Sequence, residues 1–96
     1  MELRREAQAL TDATFPQRIA WLLLQPQTPR LFVEVVADIV GGSSRQARRL
    51  LERLEELGAV QRVEEVVQGR RPRPHYRALG RSVLERIRDG LPLDQV

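Results

Sequence analysis

The sequence predicts a mainly α-helical domain with one small β-hairpin, in the order helix, helix, helix, hairpin, helix, with a further short helix in front. Three observations carry this. Arg30, Glu34 and Asp38 recur at intervals of four, the period of a helix face rather than of a strand. Residues 43–58, "SSRQARRLLERLEELG", form an amphipathic run with stop and start signals at its two ends. Finally, "AVQRVEEVVQ" and "HYRAL" flank "GRRPRP", two strand-like runs joined by a proline-bearing loop, which is the pattern of a hairpin.

Taken in order, residues 2–10 place Leu3, Ala7 and Leu10 on one side of a short helix, and residues 1–13 read as an N-terminal arm or packing helix. A second helix starts near Phe15, with Thr14 as its cap and Gln17 in capping-box position. Ile19, Leu22 and Leu23 form its apolar face, and Pro26 ends it. In "TPRLFVEVVADIV" the valines favour a strand, but the polar stripe favours a helix. Thr28 is a good N-cap and Pro29 a good first residue, so a helix is expected over about 29–40. Gly41-Gly42 then makes a tight turn. Ser43 caps the next helix, Gln46 completes S-x-x-Q, and Gly58 closes it. After the hairpin, Val83, Leu84, Ile87 and Leu91 recur at helical spacing, with residues 14–90 forming the main domain and 91–96 a tail.

The charges on helix 44–57 run against its own stability. Ala47, Leu50, Leu51, Leu54 and Leu57 fall within an arc of roughly 120°. Arg45 and Arg49 point away from it, with Arg48 and Arg53 on the flanks, while Glu52, Glu55 and Glu56 crowd the far end. A helix N-terminus is partially positive and favours acids, so this order is reversed. Arg45–Arg49 and Arg49–Arg53 are also like-charge neighbours, each unfavourable by about 0.2–0.5 kcal/mol. A phosphate backbone would turn both penalties into attractions. The plainer alternative is a solvated helix with incidental charges.

A helix, a tight glycine turn and then this helix is the helix-turn-helix arrangement, whose second helix enters the DNA major groove. The passage "VADIVGGSSRQARRLLERLEELGAV", followed by a strand, an arginine-rich loop and "HYRALGRSVLERI", resembles the winged helix-turn-helix repressors of the MarR/ArsR/PadR type over residues 15–90. Two features depart from that pattern: the link from "HYRAL" to "GRSVL" is short, and the thiol ligands of metal-sensing members are absent. The resemblance implies a winged helix-turn-helix fold. It also implies that Ser43 caps the recognition helix and that Ser44, Arg45, Gln46, Arg48 and Arg49 face DNA, and Ser43 and Arg53 are expected with them among the DNA-binding residues. The hairpin loop becomes a wing reaching DNA through Arg70, Arg71 and Arg73. Arginine suits guanine O6 and N7, and glutamine suits adenine N6 and N7, so Arg45, Gln46 and Arg49 are expected at base edges. Ser44 and Arg48 are expected at phosphates. For Gln46, capping alone is the plain alternative. In such repressors the terminal helices dimerise, which assigns Leu3, Leu10, Trp21, Leu24, Leu84, Ile87 and Leu91 to a homodimer interface, unless they close the monomer's own core. A two-fold dimer would set two recognition helices roughly 34 Å apart, one duplex turn.

Composition agrees with this direction. The net charge is +3, every cation is arginine, and lysine and asparagine are absent. Both missing residues have A-rich codons, so a GC-rich genome accounts for their absence. Residues 1–42 hold four arginines and five acids, whereas residues 43–96 hold twelve arginines and eight acids. The local excess points to a polyanion, here double-stranded DNA. No cysteine is present, which removes disulfides, thiolate metal sites and a cysteine nucleophile. His75 is the sole histidine, too few for a metal site. Catalysis, cofactors, a membrane span and a secretory signal are not expected, and the cytoplasm is the expected compartment. The function expected is a sequence-specific, dimeric transcriptional repressor. The alternatives are a protein-interaction module, which would bind through an apolar patch, and a weakly specific DNA-binding accessory protein.

Overall fold

The computed structural model describes residues 2–66 and 68–96, which form five α-helices and a three-stranded antiparallel sheet. Helix α1 (Leu3–Ala9) begins where the Glu2 carboxylate accepts the Arg4 backbone N–H. It buries Leu3 and Ala7 against α2 (Phe15–Leu23) and α3 (Val33–Val40), and Arg4 pairs with Asp38 of α3. Residues 3–9 are therefore a packing helix rather than a free arm. Helix α2 starts with the expected capping box between Thr14 and Gln17, and buries Ile19, Ala20, Leu22 and Leu23. The Arg18 guanidinium reaches back to the Leu10 carbonyl and fixes the α1–α2 connection.

The helix expected over 29–40 is shorter than its local signals suggest. Leu31 and Phe32 form a strand, β1, and the helix α3 starts only at Val33. The reason is tertiary: β1 pairs with β3 (Arg73–Ala78), Leu31 opposite Tyr76 and Phe32 opposite His75. Extended backbone at Phe32 (φ −67°, ψ 157°) overrides the Thr28-Pro29 start signal, and no side chain caps α3. Glu34 and Asp38 still lie exposed on one face, but Arg30 sits outside the helix and pairs with Glu65.

Gly41 adopts φ +83°, and the N–H groups of Gly41 and Gly42 both donate to the Ala37 carbonyl. This turn delivers α4 (Ser44–Glu56). The turn is seated on α2: a Cβ at Gly42 would lie 2.2 Å from Cε1 of the Phe15 ring. Helix α4 buries Ala47, Leu50, Leu51 and Leu54. It ends in a Schellman motif, with Gly58 at φ +73° donating to Glu55 and Ala59 donating to Leu54. Strand β2 (Val60–Glu65) then pairs with β3 from Val60–Ala78 to Glu65–Arg73, giving the order β1-β3-β2. The N–H groups of Leu79 and Gly80 both donate to the Ala59 carbonyl, so the short exit from β3 crosses the α4–β2 turn. A Cβ on Gly80 would lie 2.8 Å from the Gly58 carbonyl oxygen, too close for any other residue without a shift.

Helix α5 (Arg81–Arg88) packs back on α2. Ile19, Leu22, Leu51, Leu54, Leu84 and Ile87 are fully buried together with Val36, Val40 and Val60, and Tyr76 faces inward. This corrects part of the expected dimer surface. Leu3, Leu24, Leu84 and Ile87 are buried within a single chain because α1 and α5 close its core. Leu10, Trp21 and Leu91 remain half-buried. Among the described residues no helix is long and apolar enough to cross a membrane.

Gly42→Ala should destabilise the fold by about 1–3 kcal/mol, since the Phe15 ring must move or strain. Urea unfolding monitored by Trp21 fluorescence checks this. A midpoint unchanged from the parent would show that the turn does not depend on the Phe15 contact.

Candidate nucleic-acid interface

The sixteen arginines divide by what they touch. Arg4, Arg30, Arg53, Arg62, Arg73 and Arg88 form ion pairs. Arg18 and Arg81 donate to backbone carbonyls, and Arg77 donates to Gln61. Among the described residues, Arg45, Arg48 and Arg49 on α4 and Arg70 and Arg71 in the β2–β3 loop form neither an ion pair nor a side-chain hydrogen bond. Arg5 and Arg86 share that property elsewhere on the surface. All five interface candidates are exposed. An isolated positive charge keeps its hydration, whereas a group of unpaired positive charges repels itself and favours an external anion.

Two of the expected contact residues are placed differently. The Arg73 guanidinium does not extend with Arg70 and Arg71. It lies 3.9 Å from the Phe32 ring centroid and 3.1 Å from Glu34 Oε2, at the base of the hairpin. Phe32 in turn meets the His75 ring edge-on at 5.8 Å. Strand pairing puts Arg73 opposite Glu65 and turns it over β1, so it anchors the hairpin to the start of α3. Arg53 pairs with Glu56 at 3.2 Å in the last turn of α4, where its charge is matched by both the carboxylate and the helix terminus.

At the other end of α4 the capping box is complete. The Ser43 hydroxyl accepts the Gln46 backbone N–H at 3.1 Å. Gln46 Oε1 accepts from the Ser43 backbone N–H at 3.2 Å and from the Ser43 hydroxyl at 3.3 Å. The cap therefore occupies Ser43, and it occupies the oxygen with which Gln46 would accept from adenine N6. The expected bidentate glutamine–adenine contact is thus not open to this conformation. Ser44, at the first helical position, is exposed.

Between α4, the start of α3 and the hairpin lies an open cleft of about 480 Å³. Arg48, Arg62 and Arg73 line it together with Glu34, Glu52, Glu55 and Glu56. Glu52, Glu55 and Glu56 occupy the C-terminal half of α4 and Glu34 the first turn of α3, so Arg48 borders acids, while Arg45 and Arg49 at the N-terminal end of α4 and Arg70 and Arg71 in the hairpin loop are not among the residues lining the cleft. A hydrogen bond from its own backbone amide, then one from Arg73, hold the Glu34 carboxyl below its ordinary value of 4.5. Burial pushes the Tyr76 phenol above 10.0. Neither group is poised for proton transfer near neutrality. The described residues hold no cluster of histidine, aspartate or glutamate able to bind a metal ion.

The roles of Glu34 and Phe32 as supports for Arg73 were not visible in the sequence. Arg73 and Glu34 are 39 residues apart, and only the β1–β3 register brings them together. Comparison with known proteins gave no matching family model, no matching curated protein and no matching solved structure.

Because the folded pKa of Glu34 is lowered, its ionised form stabilises the fold above the unfolded value of 4.5, and this contribution is lost as pH falls through the folded pKa. Glu34→Gln should therefore be less stable than the parent at neutral pH, with the difference shrinking in acid. Unfolding midpoints across that range test this, and a difference independent of pH would assign the effect to packing.

Proposed function

We propose that the chain is a winged helix-turn-helix DNA-binding domain of the MarR/ArsR/PadR type, acting as a dimeric transcriptional repressor that occludes a promoter. The observation that carries this reading is the segregation of arginines. Those elsewhere are mostly paired, whereas Arg45, Arg48 and Arg49 on the first two turns of α4 and Arg70 and Arg71 on the hairpin loop have no partner among the described residues. Helix α3, the Gly41–Gly42 turn and α4 supply the helix-turn-helix, and the β2–β3 hairpin supplies the wing. Helix α4 enters the major groove N-terminal end first. Arg45 and Arg49 face base edges, while Arg48, Ser44 and the open amides of the first turn meet phosphate. Arg70 and Arg71 meet the backbone or a minor groove, stiffened by Pro72. Dimerisation uses the half-buried Leu10, Trp21 and Leu91, and sedimentation equilibrium tests that part separately.

The experiment is a titration of the chain with duplex DNA from its own upstream region and with a scrambled control, at two salt concentrations. Specific repression requires binding about a thousandfold tighter to the first than to the second. Equal, salt-sensitive binding to both would favour a weakly specific accessory protein. No binding at low salt would remove DNA altogether and turn attention to a protein partner.

Two substitutions refine the assignment. Arg49→Ala should weaken specific binding by about 1–3 kcal/mol and relax the preference at one base position. Equal loss on every sequence would move Arg49 to phosphate. Changing Arg70 and Arg71 together to alanine should lower affinity and reduce the slope of log K against log salt by about one to two. An unchanged slope would take the wing out of the interface.

A further inference from the structure

We infer that the reading surface of α4 presents hydrogen-bond donors and almost no acceptors, and that it therefore selects guanine-bearing duplex sites through the major-groove acceptors N7 and O6. This rests on the proposed binding of α4 to DNA and names what that site reads. The key residue is Gln46. An amide side chain ordinarily offers both an acceptor and two donors. Here both lone-pair sites of Oε1 are filled by Ser43, through its backbone N–H at 3.2 Å and its hydroxyl at 3.3 Å. A backbone N–H can only donate, so the atom facing it is the oxygen and the outward atom is Nε2. Gln46 thus offers two N–H donors to a ligand and nothing that accepts.

Its neighbours reinforce this. Arg45 and Arg49 are exposed, free of partners among the described residues, and carry donors only. The Ser44 hydroxyl is the one side-chain group on the first two turns still able to accept. The carboxylates that could accept, Glu52, Glu55 and Glu56, belong to the last turns. In the major groove guanine shows two acceptors side by side, adenine and thymine each show one, and cytosine shows a donor. A surface of donors is matched best by guanine and opposed by cytosine. Arg45 and Arg49 lie one turn apart, about 6 Å along the axis, and bases on one strand are spaced by about 3.4 Å. When α4 lies along the groove, the two arginines match guanines about two base steps apart.

The test uses the full chain and a pool of randomised duplexes, selected by binding at low and moderate salt. Selected duplexes should share a pair of guanines, and replacing those guanines with 7-deazaguanine, which lacks N7, should weaken binding about tenfold or more. Gln46→Glu supplies the second arm. Glutamate serves as well as glutamine in a capping box and suits the positive helix end, so the unfolding midpoint should not fall. The outward group, however, becomes a carboxylate oxygen, and one selected position should move from guanine towards cytosine. A selected adenine at the position altered by Gln46→Glu would overturn the inference, as would binding indifferent to 7-deazaguanine or without any shared sequence. In each of these cases DNA binding itself would still stand. No retention of any duplex at low salt would overturn the DNA-binding reading instead.

Discussion

The placement of α4 depends on a contact in which one partner is the absence of a side chain. The Phe15 ring occupies the space that a Cβ on Gly42 would take. Phe15 opens α2, and α2 packs on both α3 and α5. The turn between α3 and α4 is therefore clamped to the centre of the molecule. Two N–H groups on the Ala37 carbonyl fix its inner side, and the Ser43–Gln46 box fixes its outer side. With both sides fixed, the direction in which α4 leaves α3 is determined, and with it the direction of Arg45 and Arg49. At the far end of α4, the Schellman closure at Gly58 and the two donors to the Ala59 carbonyl set where the hairpin begins. Arg45, Arg48 and Arg49 are thus carried on a helix held by hydrogen bonds at both of its ends.

Much of this was legible locally. Capping boxes at Thr14 and Ser43 and the glycine stop at Gly58 rest on contacts within six residues of sequence, and sequence spacing is enough to find them. The buried face of α4 follows from its period. What sequence did not disclose is long-range. Leu31 and Phe32 carry no local signal that outweighs Thr28-Pro29, and they become a strand because β3, over forty residues later, offers a pairing edge. The same pairing takes Arg73 out of the hairpin loop and sets it over Phe32. Which leucines a monomer consumes was also invisible, because Leu84 and Ile87 have the same spacing whether they face α2 or a second copy.

Ion pairing shows a division of labour that matches this anatomy. Arg30–Glu65 and Arg73–Glu34 tie the hairpin to β1 and α3, and Arg4–Asp38 ties α1 to α3. These pairs are exposed, so each contributes little to stability on its own. The geometric effect of the first two is to hold the hairpin against β1 and the start of α3, beside the cleft. Among the described residues, Arg45, Arg48 and Arg49 at the N-terminal turns of α4 and Arg70 and Arg71 on the hairpin loop form neither an ion pair nor a side-chain hydrogen bond, although Arg48 borders the acid-lined cleft; Arg5 and Arg86 are the arginines of this kind elsewhere.

That division makes the response to salt diagnostic. In the free chain, Arg45 and Arg49 repel each other and oppose the positive end of the helix they ride on. Added salt screens this repulsion and favours the folded state. On the proposed reading the same salt competes with the arginines for phosphate and weakens the complex. Stability and binding would then respond to salt with opposite sign through the same side chains. A solvated surface helix with incidental charges requires the first response and gives no reason for the second. On the proposed reading, the conflict between this helix's charges and its own dipole is relieved when phosphate meets the arginines and the open helix end.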